Sequence, residues 1–181
     1  MDTAISRNPE RYRKLIEKVL ATPDKESVGK YSITPELEPF FTNGHVLLMG
    51  PALNYLFSDR KAYTTGPTIE KVIPEFTALT QETTLPDALP IQVEKKSTVT
   101  AVFNSELAGL KMEDSRIGET LEDGKHIGFN LNYIKFLLEL GFNKLIWSNA
   151  ASPAIAYRQT GDDIDNDLTA VIMPMRLEKL S

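Results

Sequence analysis

Residues 126–141 read HIGFNLNYIKFLLELG, a short apolar run followed directly by a helical pattern. Asn130 suits the N-cap of that helix, because its side-chain oxygen can accept a bond from a free backbone N–H group. Gly141 suits the position just past the C-terminus, where a left-handed backbone is common. The apolar side chains recur at helical spacing: Leu131, Tyr133, Ile134, Phe136, Leu137, Leu138 and Leu140. The pattern predicts a largely buried helix over residues 131–140.

A second, amphipathic helix is predicted over residues 9–21. Asn8 can cap it, and Pro9 suits its first position. Its apolar face consists of Tyr12, Leu15, Ile16, Val19 and Leu20. A basic stripe beside that face contains Arg11, Lys14 and Lys18. Such a stripe is ordinarily a hydrated helix surface, and its functional alternative is contact with the phosphates of DNA.

Strand-like segments follow both helices. The predicted strands cover residues 30–34, two arms of 39–49 around the turn Thr42-Asn43-Gly44, a hairpin of 96–103 with 106–113, and then 144–148, 154–158 and 168–177. Residues 51–95 are rich in Pro and Thr and are interpreted as an insertion or linker. The order predicts an α+β fold of two helix-plus-strands halves with antiparallel sheets.

Composition narrows the classes of protein that the chain can belong to. The 181 residues include no cysteine, which excludes disulfide scaffolds, thiolate nucleophiles and Cys-type zinc sites. The net charge of −5 argues against a generic nucleic-acid coat, so any DNA contact requires a local basic face. No apolar run approaches the ~20 residues of a membrane span. The charged N-terminus does not fit a signal peptide, and we expect a cytoplasmic protein with no membrane partner.

No catalytic, nucleotide-binding or metal-binding motif is found in the sequence. The two histidines, His45 and His126, have no partner at a recognisable spacing. The acidic run 162–167 fails the EF-hand pattern, because Leu168 and Pro174 stand where Gly and Glu are required. This run is interpreted as a hydrated turn. We therefore expect no enzymatic activity, no cofactor and no metal.

Four segments, in order, resemble the bacterial DNA polymerase sliding clamp, the β subunit. Residues 126–133 and 171–177 match two hallmarks of its C-terminal domain, an IGFN-x-x-Y strand-to-helix junction and a terminal MPMRL strand. Residues 42–47 (TNGHVL) are similar to the clamp's TDGHRL, with Asn43 for Asp and Val46 for Arg. Residues 67–74 (PTIEKVIP) are similar to its PDYRRVLP connection. The match is closest over about residues 125–177.

The resemblance implies a DNA-clamp-like domain without enzymatic activity. In the family these four segments line a shallow groove that binds short peptides of polymerases and other replication or repair proteins. By position the groove would contain Thr42, Gly44, His45, Val46, Leu47, Pro67, Lys71, Val72, Asn130, Tyr133, Val171, Met173, Pro174, Met175, Arg176 and Leu177. The family also encircles duplex DNA as a head-to-tail ring, which implies a homo-oligomer. The basic stripe would then face the DNA.

Two domain layouts and two functions follow from the resemblance. The favoured layout is a single clamp-like domain over residues 1–181, with halves of about 1–50 and 96–181. The alternative is a trimmed middle domain joined to a last domain. The favoured function is that of a DNA replication accessory protein that binds clamp-binding peptide motifs and encircles duplex DNA as an oligomer. The alternative is an adaptor or decoy that keeps the peptide groove, forms no ring and competes for replication proteins.

Overall fold

The computed structural model describes residues 4–22, 28–64, 67–85, 92–95, 98–104 and 126–175. The helices are α1 (Ala4–Arg7), α2 (Pro9–Leu20), α3 (Ala52–Leu56) and α4 (Leu131–Glu139), with a 3₁₀ turn at Phe76–Ala78. The strands are β1 (Tyr31–Ile33), β2 (Pro39–Thr42), β3 (Val46–Met49), β4 (Gln81–Thr84), β5 (Gln92–Lys95), β6 (Thr98–Asn104), β7 (His126–Asn130), β8 (Lys144–Trp147), β9 (Ala154–Thr160) and β10 (Asp163–Ile172).

The described strands form two antiparallel sheets. One has seven strands in the order β1-β2-β3-β10-β9-β8-β4, and the other has three in the order β5-β6-β7. The pairing of β3 with β10 joins the N-terminal strands to the C-terminal ones, with Leu47 opposite Val171. The predicted α+β class with antiparallel sheets is confirmed. The domain layout stays a prediction.

Both principal helices begin where the sequence predicts. The side chain of Asn8 accepts a bond from Arg11 N at 3.4 Å, and that of Asn130 accepts one from Asn132 N at 2.9 Å. Gly141 follows α4 with φ of +88°, a conformation that a residue with a Cβ atom rarely adopts. The capping residues therefore fix the ends of α2 and α4 as expected.

Side chains alternate between the two faces of the seven-stranded sheet along each strand. Both faces carry buried apolar residues. Its inner face packs against the helices, and the buried residues there include Phe41, Leu48, Trp147, Ala170 and, from α2 and α4, Ile16, Leu20, Ile134 and Leu137. Its outer face carries a smaller apolar cluster, which consists of Phe40, Leu47, Ile69, Ile146, Ile155, Tyr157 and Val171. Ile69 comes from the segment 67–79, which partly covers the outer face. The candidate functional site lies on the outer face, beside residues 67–72 of this segment.

Several predicted elements differ from the structure. The last strand runs over residues 163–172 rather than 168–177, so Pro174 lies past its end, and β10 is central because it pairs with β3 and β9. Asp163 and Asp165 belong to that strand rather than to a turn. Strand β6 pairs with β5 and β7, and the predicted partner 106–113 lies outside the described residues. Within the predicted linker 51–95, the chain forms α3, the 3₁₀ turn, β4 and β5.

The outer face contains a tyrosine whose ionisation should destabilise the fold. The hydroxyl of Tyr157 donates to Glu82 Oε1 at 3.1 Å, and burial, together with that carboxylate, raises the pKa of Tyr157 to about 12. A raised pKa contributes stability below the unfolded value of about 10 that disappears as the pH rises towards 12. We expect urea denaturation to show a falling free energy of unfolding across this window, with a smaller fall in Tyr157→Phe. The exposed control Tyr55→Phe should behave as the wild type, and equal slopes in all three proteins would contradict the assignment.

Candidate functional site

A groove of about 130 Å³ lies on the outer face of the seven-stranded sheet, between the ends of β3 and β10 and the segment 67–72. We call it the outer groove. Its lining is Val28, Thr42, Gly44, His45, Val46, Leu47, Pro67, Thr68, Ile69, Val72, Val171 and Met173. Most of these side chains are apolar, and Val72 and Met173 remain 42% and 38% exposed. Exposed apolar side chains beside a concave surface are typical of a binding site.

The turn at residues 42–46 forms one wall of the outer groove. Gly44 adopts φ of +92°, so the tight Asn-Gly turn predicted from the sequence needs the glycine. The hydroxyl of Thr42 donates to Val46 O at 2.8 Å and accepts from Gly44 N at 3.0 Å. Asn43 Oδ1 accepts from the backbone N–H groups of His45 and Val46, both at 2.9 Å. The wall is therefore held by its own side chains before any ligand binds.

Met173 is fixed in the groove by its backbone. Its N–H group donates to His45 O at 2.9 Å, which extends the β3–β10 pairing one step beyond Ile172. Because side chains alternate along the strand, Met173 lies on the same face as Val171. The thioether is thus an unbranched, adaptable group at the open side of an apolar groove.

Met175 lies away from the groove. Its N–H group donates to Gly128 O at 2.7 Å, and its sulfur lies 3.5 Å from the hydroxyl of Thr100 on β6. The chain thus crosses from the large sheet to the three-stranded sheet between Met173 and Met175. The two methionines, which the sequence places in one groove, contact different sheets.

Tyr133 supports the groove wall, and neither Tyr133 nor Asn130 lines the cavity. The Tyr133 hydroxyl accepts a bond from Asn43 Nδ2 at 3.0 Å, and its ring lies 6.1 Å from the ring of His45. Asn130 uses its side-chain oxygen to cap α4. The amide of Asn43 therefore links the turn to α4, a donor contact that the Asp of the clamp motif does not offer through its ionised carboxylate.

The structure places the remaining predicted groove residues as follows. Thr42, Gly44, His45, Val46, Leu47, Pro67, Val72, Val171 and Met173 come together around the cavity. Lys71 is exposed and does not belong to the lining. Pro174 and Met175 follow Met173 along the chain and do not line the cavity either. Arg176 and Leu177 lie outside the described residues. Val28, Thr68 and Ile69 also line the groove but are not among the residues predicted from the sequence. Ile69 is an apolar position of the PTIEKVIP motif and Thr68 precedes it, so the motif could have indicated both, whereas no sequence signal marks Val28.

The basic stripe lies on the exposed side of α2. Lys14 Nζ is 3.6 Å from Glu10 Oε1, and the Arg11 guanidinium lies 5.9 Å from the centre of the Tyr12 ring. The other charged side chains of the helix face the segment after α3. Arg13 pairs with Asp59 at 2.9 Å and holds the pKa of that carboxyl below its usual range, and Glu17 pairs with Arg60 at 3.5 Å. A DNA contact by Arg11, Lys14 and Lys18 stays a prediction.

The described part of the chain contains neither a side-chain cluster that could bind a metal ion nor a helix that could span a membrane. Across residues 4–22, 28–64, 67–85, 92–95, 98–104 and 126–175, no three His, Asp or Glu side chains come together in a way that could hold a metal ion. In the same residues, no helix combines the length and apolar character needed to cross a membrane.

The role of Asn43 can be tested by its effect on stability. Asn43→Ala removes two acceptor contacts to the turn and one donor contact to Tyr133, and leaves buried polar groups unpaired. We expect a loss of about 2 kcal/mol in the free energy of unfolding, measured by urea denaturation. The control Asn149→Ala removes a comparable but exposed contact, 2.9 Å from Ala151 N, and should cost less than about 0.5 kcal/mol. Equal losses in the two variants would contradict the supporting role of Asn43.

Comparisons with known proteins find similarity only at the level of structure. No protein-family model and no curated protein matches the chain. Similar solved structures include the β clamp of Helicobacter pylori in complex with diflunisal, at 14% identity and a TM-score of 0.49, over 92% of this chain and 63% of that one. The sliding clamp of Caulobacter crescentus matches at 15% identity and a TM-score of 0.46, over 93% and 64%. The DNA polymerase III β subunit of Pseudomonas aeruginosa matches at 14% and 0.42, over 93% and 65%.

These solved structures are sliding clamps, the family that the sequence motifs resemble. The chain spans less than two thirds of the length of each of them.

Proposed function

We propose that the chain is a non-enzymatic accessory protein that binds short linear peptides of DNA replication proteins in the outer groove. The observation that carries this proposal is the convergence of residues 42–47, 67–72 and 171–173 on one apolar cavity. These segments are distant in sequence, and each was singled out by its similarity to a clamp motif. A cavity lined by apolar side chains with a few backbone polar groups suits an extended peptide with one or two large apolar residues.

The chemistry of the lining favours an adaptable interaction. Met173 and Val72 are both exposed. Met173 has an unbranched, flexible side chain and Val72 has a small one, so this part of the lining can repack around ligands of different shape. The turn at 42–46 and the buried Leu47 and Val171 form a rigid floor beneath them. A rigid floor lowers the entropy lost on binding, while the exposed rim tolerates different peptide sequences.

Binding of a fluorescein-labelled clamp-binding peptide, measured by anisotropy, tests the proposal. The wild type should bind it, and Met173→Ala should bind it roughly tenfold more weakly, because truncation removes apolar contact area. Ile164→Ala is the matched control, since Ile164 is 43% exposed on the same strand but does not line the groove. Equal affinity of the wild type and Met173→Ala would remove the groove from the proposal.

Ring formation and duplex DNA binding are further parts of the same proposal. Arg11, Lys14 and Lys18 share one face of α2, while Arg13 and Glu17 pair with the segment after α3. The exposure of these three side chains supports a phosphate-facing surface, although Lys14 also lies 3.6 Å from Glu10 on the same helix. Light scattering after size exclusion tests for a homo-oligomer, and duplex titration at low salt tests for DNA. A strict monomer that binds the peptide but not duplex DNA would favour the ring-less adaptor instead.

A further inference from the structure

A second cavity, of about 330 Å³, lies at the C-terminal end of α2, away from the outer groove. It is lined by Glu17 and Ala21 of α2, by Gly29, Lys30, Tyr31 and Phe41, and by Phe57, Arg60, Lys61 and Tyr63. None of these residues lines the outer groove. We call this cavity the aromatic–basic cavity.

The cavity is held by backbone bonds between segments distant in the chain. Tyr63 N donates to Tyr31 O, and Ile33 N donates to Tyr63 O, both at 2.9 Å, so residue 63 pairs alongside β1. Gly29 adopts φ of +74°, and a Cβ atom there would lie 2.1 Å from Thr22 Oγ1. The close approach at Gly29 places Lys30 next to the end of α2. These contacts fix the positions of Lys30, Tyr31 and Tyr63 at one wall.

Aromatic rings form the floor of this cavity. The rings of Tyr31 and Phe57 stack at 5.3 Å between centroids, and the ring of Phe41 packs against Phe57 in a tilted arrangement at 5.5 Å. Phe41 and Phe57 are fully buried beneath, whereas Tyr31 and Tyr63 are only half-buried and border the open space. Such a floor offers flat π surfaces on which a planar ring can stack.

The rim of the cavity is basic. Among the described lining residues, the cations are Lys30, Arg60 and Lys61 and the carboxylate is Glu17, which lies 3.5 Å from Arg60. Lys30 Nζ lies 4.5 Å from the centre of the Tyr63 ring, so a cation and an aromatic face are presented side by side. The chain as a whole has a net charge of −5, whereas the described lining of this cavity contains more cations than carboxylates. Its chemistry matches a ligand that combines a planar ring with an anion.

We propose that the aromatic–basic cavity binds a nucleotide unit, with the base stacked on Tyr31 and Tyr63 and the phosphate held by Lys30 and Lys61. Single-stranded nucleic-acid sites combine aromatic platforms with cations that follow the backbone in the same way. The source of the nucleotide unit is either a single strand or a free mononucleotide. A duplex does not satisfy the site, because its bases are already stacked and paired. The proposal is independent of the outer groove.

Anisotropy titrations with labelled oligo(dT), carried out on the full chain at low salt, test the site. Lys61→Ala should weaken binding severalfold and reduce the slope of log affinity against log salt by about 0.7, the value for one phosphate contact on a single strand. The exposed Lys135→Ala on α4 is the matched control and should leave both quantities unchanged. Oligo(dT) binding that Lys61→Ala and Lys135→Ala affect equally would overturn the proposal.

A second pair of variants tests the stacking contact. Tyr63→Leu should weaken oligo(dT) binding roughly tenfold, whereas Tyr63→Phe, which keeps the ring, should bind within about twofold of the wild type. Equal binding by both variants would overturn the aromatic role. If Tyr63→Leu does not fold, the Lys61 comparison decides, because Lys61 is exposed.

The choice of nucleic acid distinguishes the two sources. Competition by free dTMP at millimolar concentration would assign the site to a mononucleotide, and competition only by unlabelled oligo(dT) would assign it to a single strand. Displacement by duplex DNA as efficiently as by oligo(dT) would overturn the proposal, since it would show a contact with phosphates alone. Peptide binding in the outer groove should be unchanged by Lys61→Ala, so the two proposals fail separately.

Discussion

Val72→Glu should reduce the affinity of the chain for a clamp-binding peptide by about 100-fold, which corresponds to ~2.7 kcal/mol. Val72 is 42% exposed and lines the outer groove beside Ile69. A bound apolar peptide would cover the new carboxylate and remove it from water, and the described lining of the groove contains no Lys or Arg that could pair with it. Burying an unpaired charge is among the costliest changes that a binding site can undergo.

Two control variants separate this effect from misfolding and from general charge. Val72→Gln introduces a polar group of similar shape without the charge and should cost less than Val72→Glu. Tyr55→Glu places a carboxylate at a side chain that is 49% exposed outside the groove, and should bind the peptide as the wild type does. Anisotropy measures all three affinities. Wild-type affinity in Val72→Glu would mean that the peptide does not enter the groove.

Trp147→Ala should lower the free energy of unfolding by about 3–5 kcal/mol, the usual cost of deleting a large aromatic side chain from a packed interior. Trp147 is 0% exposed and belongs to the core cluster between the large sheet and the helices. It also ends β8, where its carbonyl accepts from Thr80 N at 3.1 Å next to β4. A loss of that size is a large fraction of the 5–15 kcal/mol that stabilise an ordinary domain.

The conservative variant Trp147→Phe should cost clearly less than Trp147→Ala. Among the described residues, Trp147 Nε1 has no hydrogen-bond partner, so the phenylalanine removes a buried unpaired donor while it keeps much of the ring. Urea denaturation followed by circular dichroism is the suitable measurement, because the chain has only this one tryptophan and its fluorescence is lost in both variants. A cost below about 1 kcal/mol for Trp147→Ala would contradict its place in the core.

The local elements of the fold could be predicted from the sequence because their signals are local. Asn8 with Pro9, and Asn130 with Gly141, mark helix ends through contacts within a few residues. The Asn43-Gly44 turn is likewise decided by its own side chains. In each case the residue that determines the conformation lies beside the backbone that adopts it.

Long-range pairing could not be predicted in the same way. The partner of β6 and the joining of β3 to β10 depend on which apolar faces fit together across the sheets, and no neighbouring residue encodes that choice. The last strand was misplaced for a related reason. Its first half carries Asp163 and Asp165, which suggest a turn, yet Asp165 lies opposite Arg158 on β9 and pairs with it at 2.6 Å.

The residues of the candidate site also divide into those that local sequence predicts and those that tertiary packing determines. The sequence singled out the residues at 42–47, 67–72 and 171–173 that surround the cavity, because each belongs to a motif. It could not separate Met173 from Met175, since a crossing between two sheets at Pro174 is decided by tertiary pairing with Gly128. It also could not show that Tyr133 is bonded to Asn43. Motif membership identified the neighbourhood, and packing decides which side chains line it.

The most direct measurement is an NMR spectrum of the methionine methyl groups, labelled with ¹³C, during titration with a clamp-binding peptide. The chain has five methionines, and Met173 lines the outer groove whereas Met49 does not. The account predicts a large, saturable shift of the Met173 methyl resonance with little change at Met49. A Met173 resonance that stays unchanged at saturating peptide would contradict it.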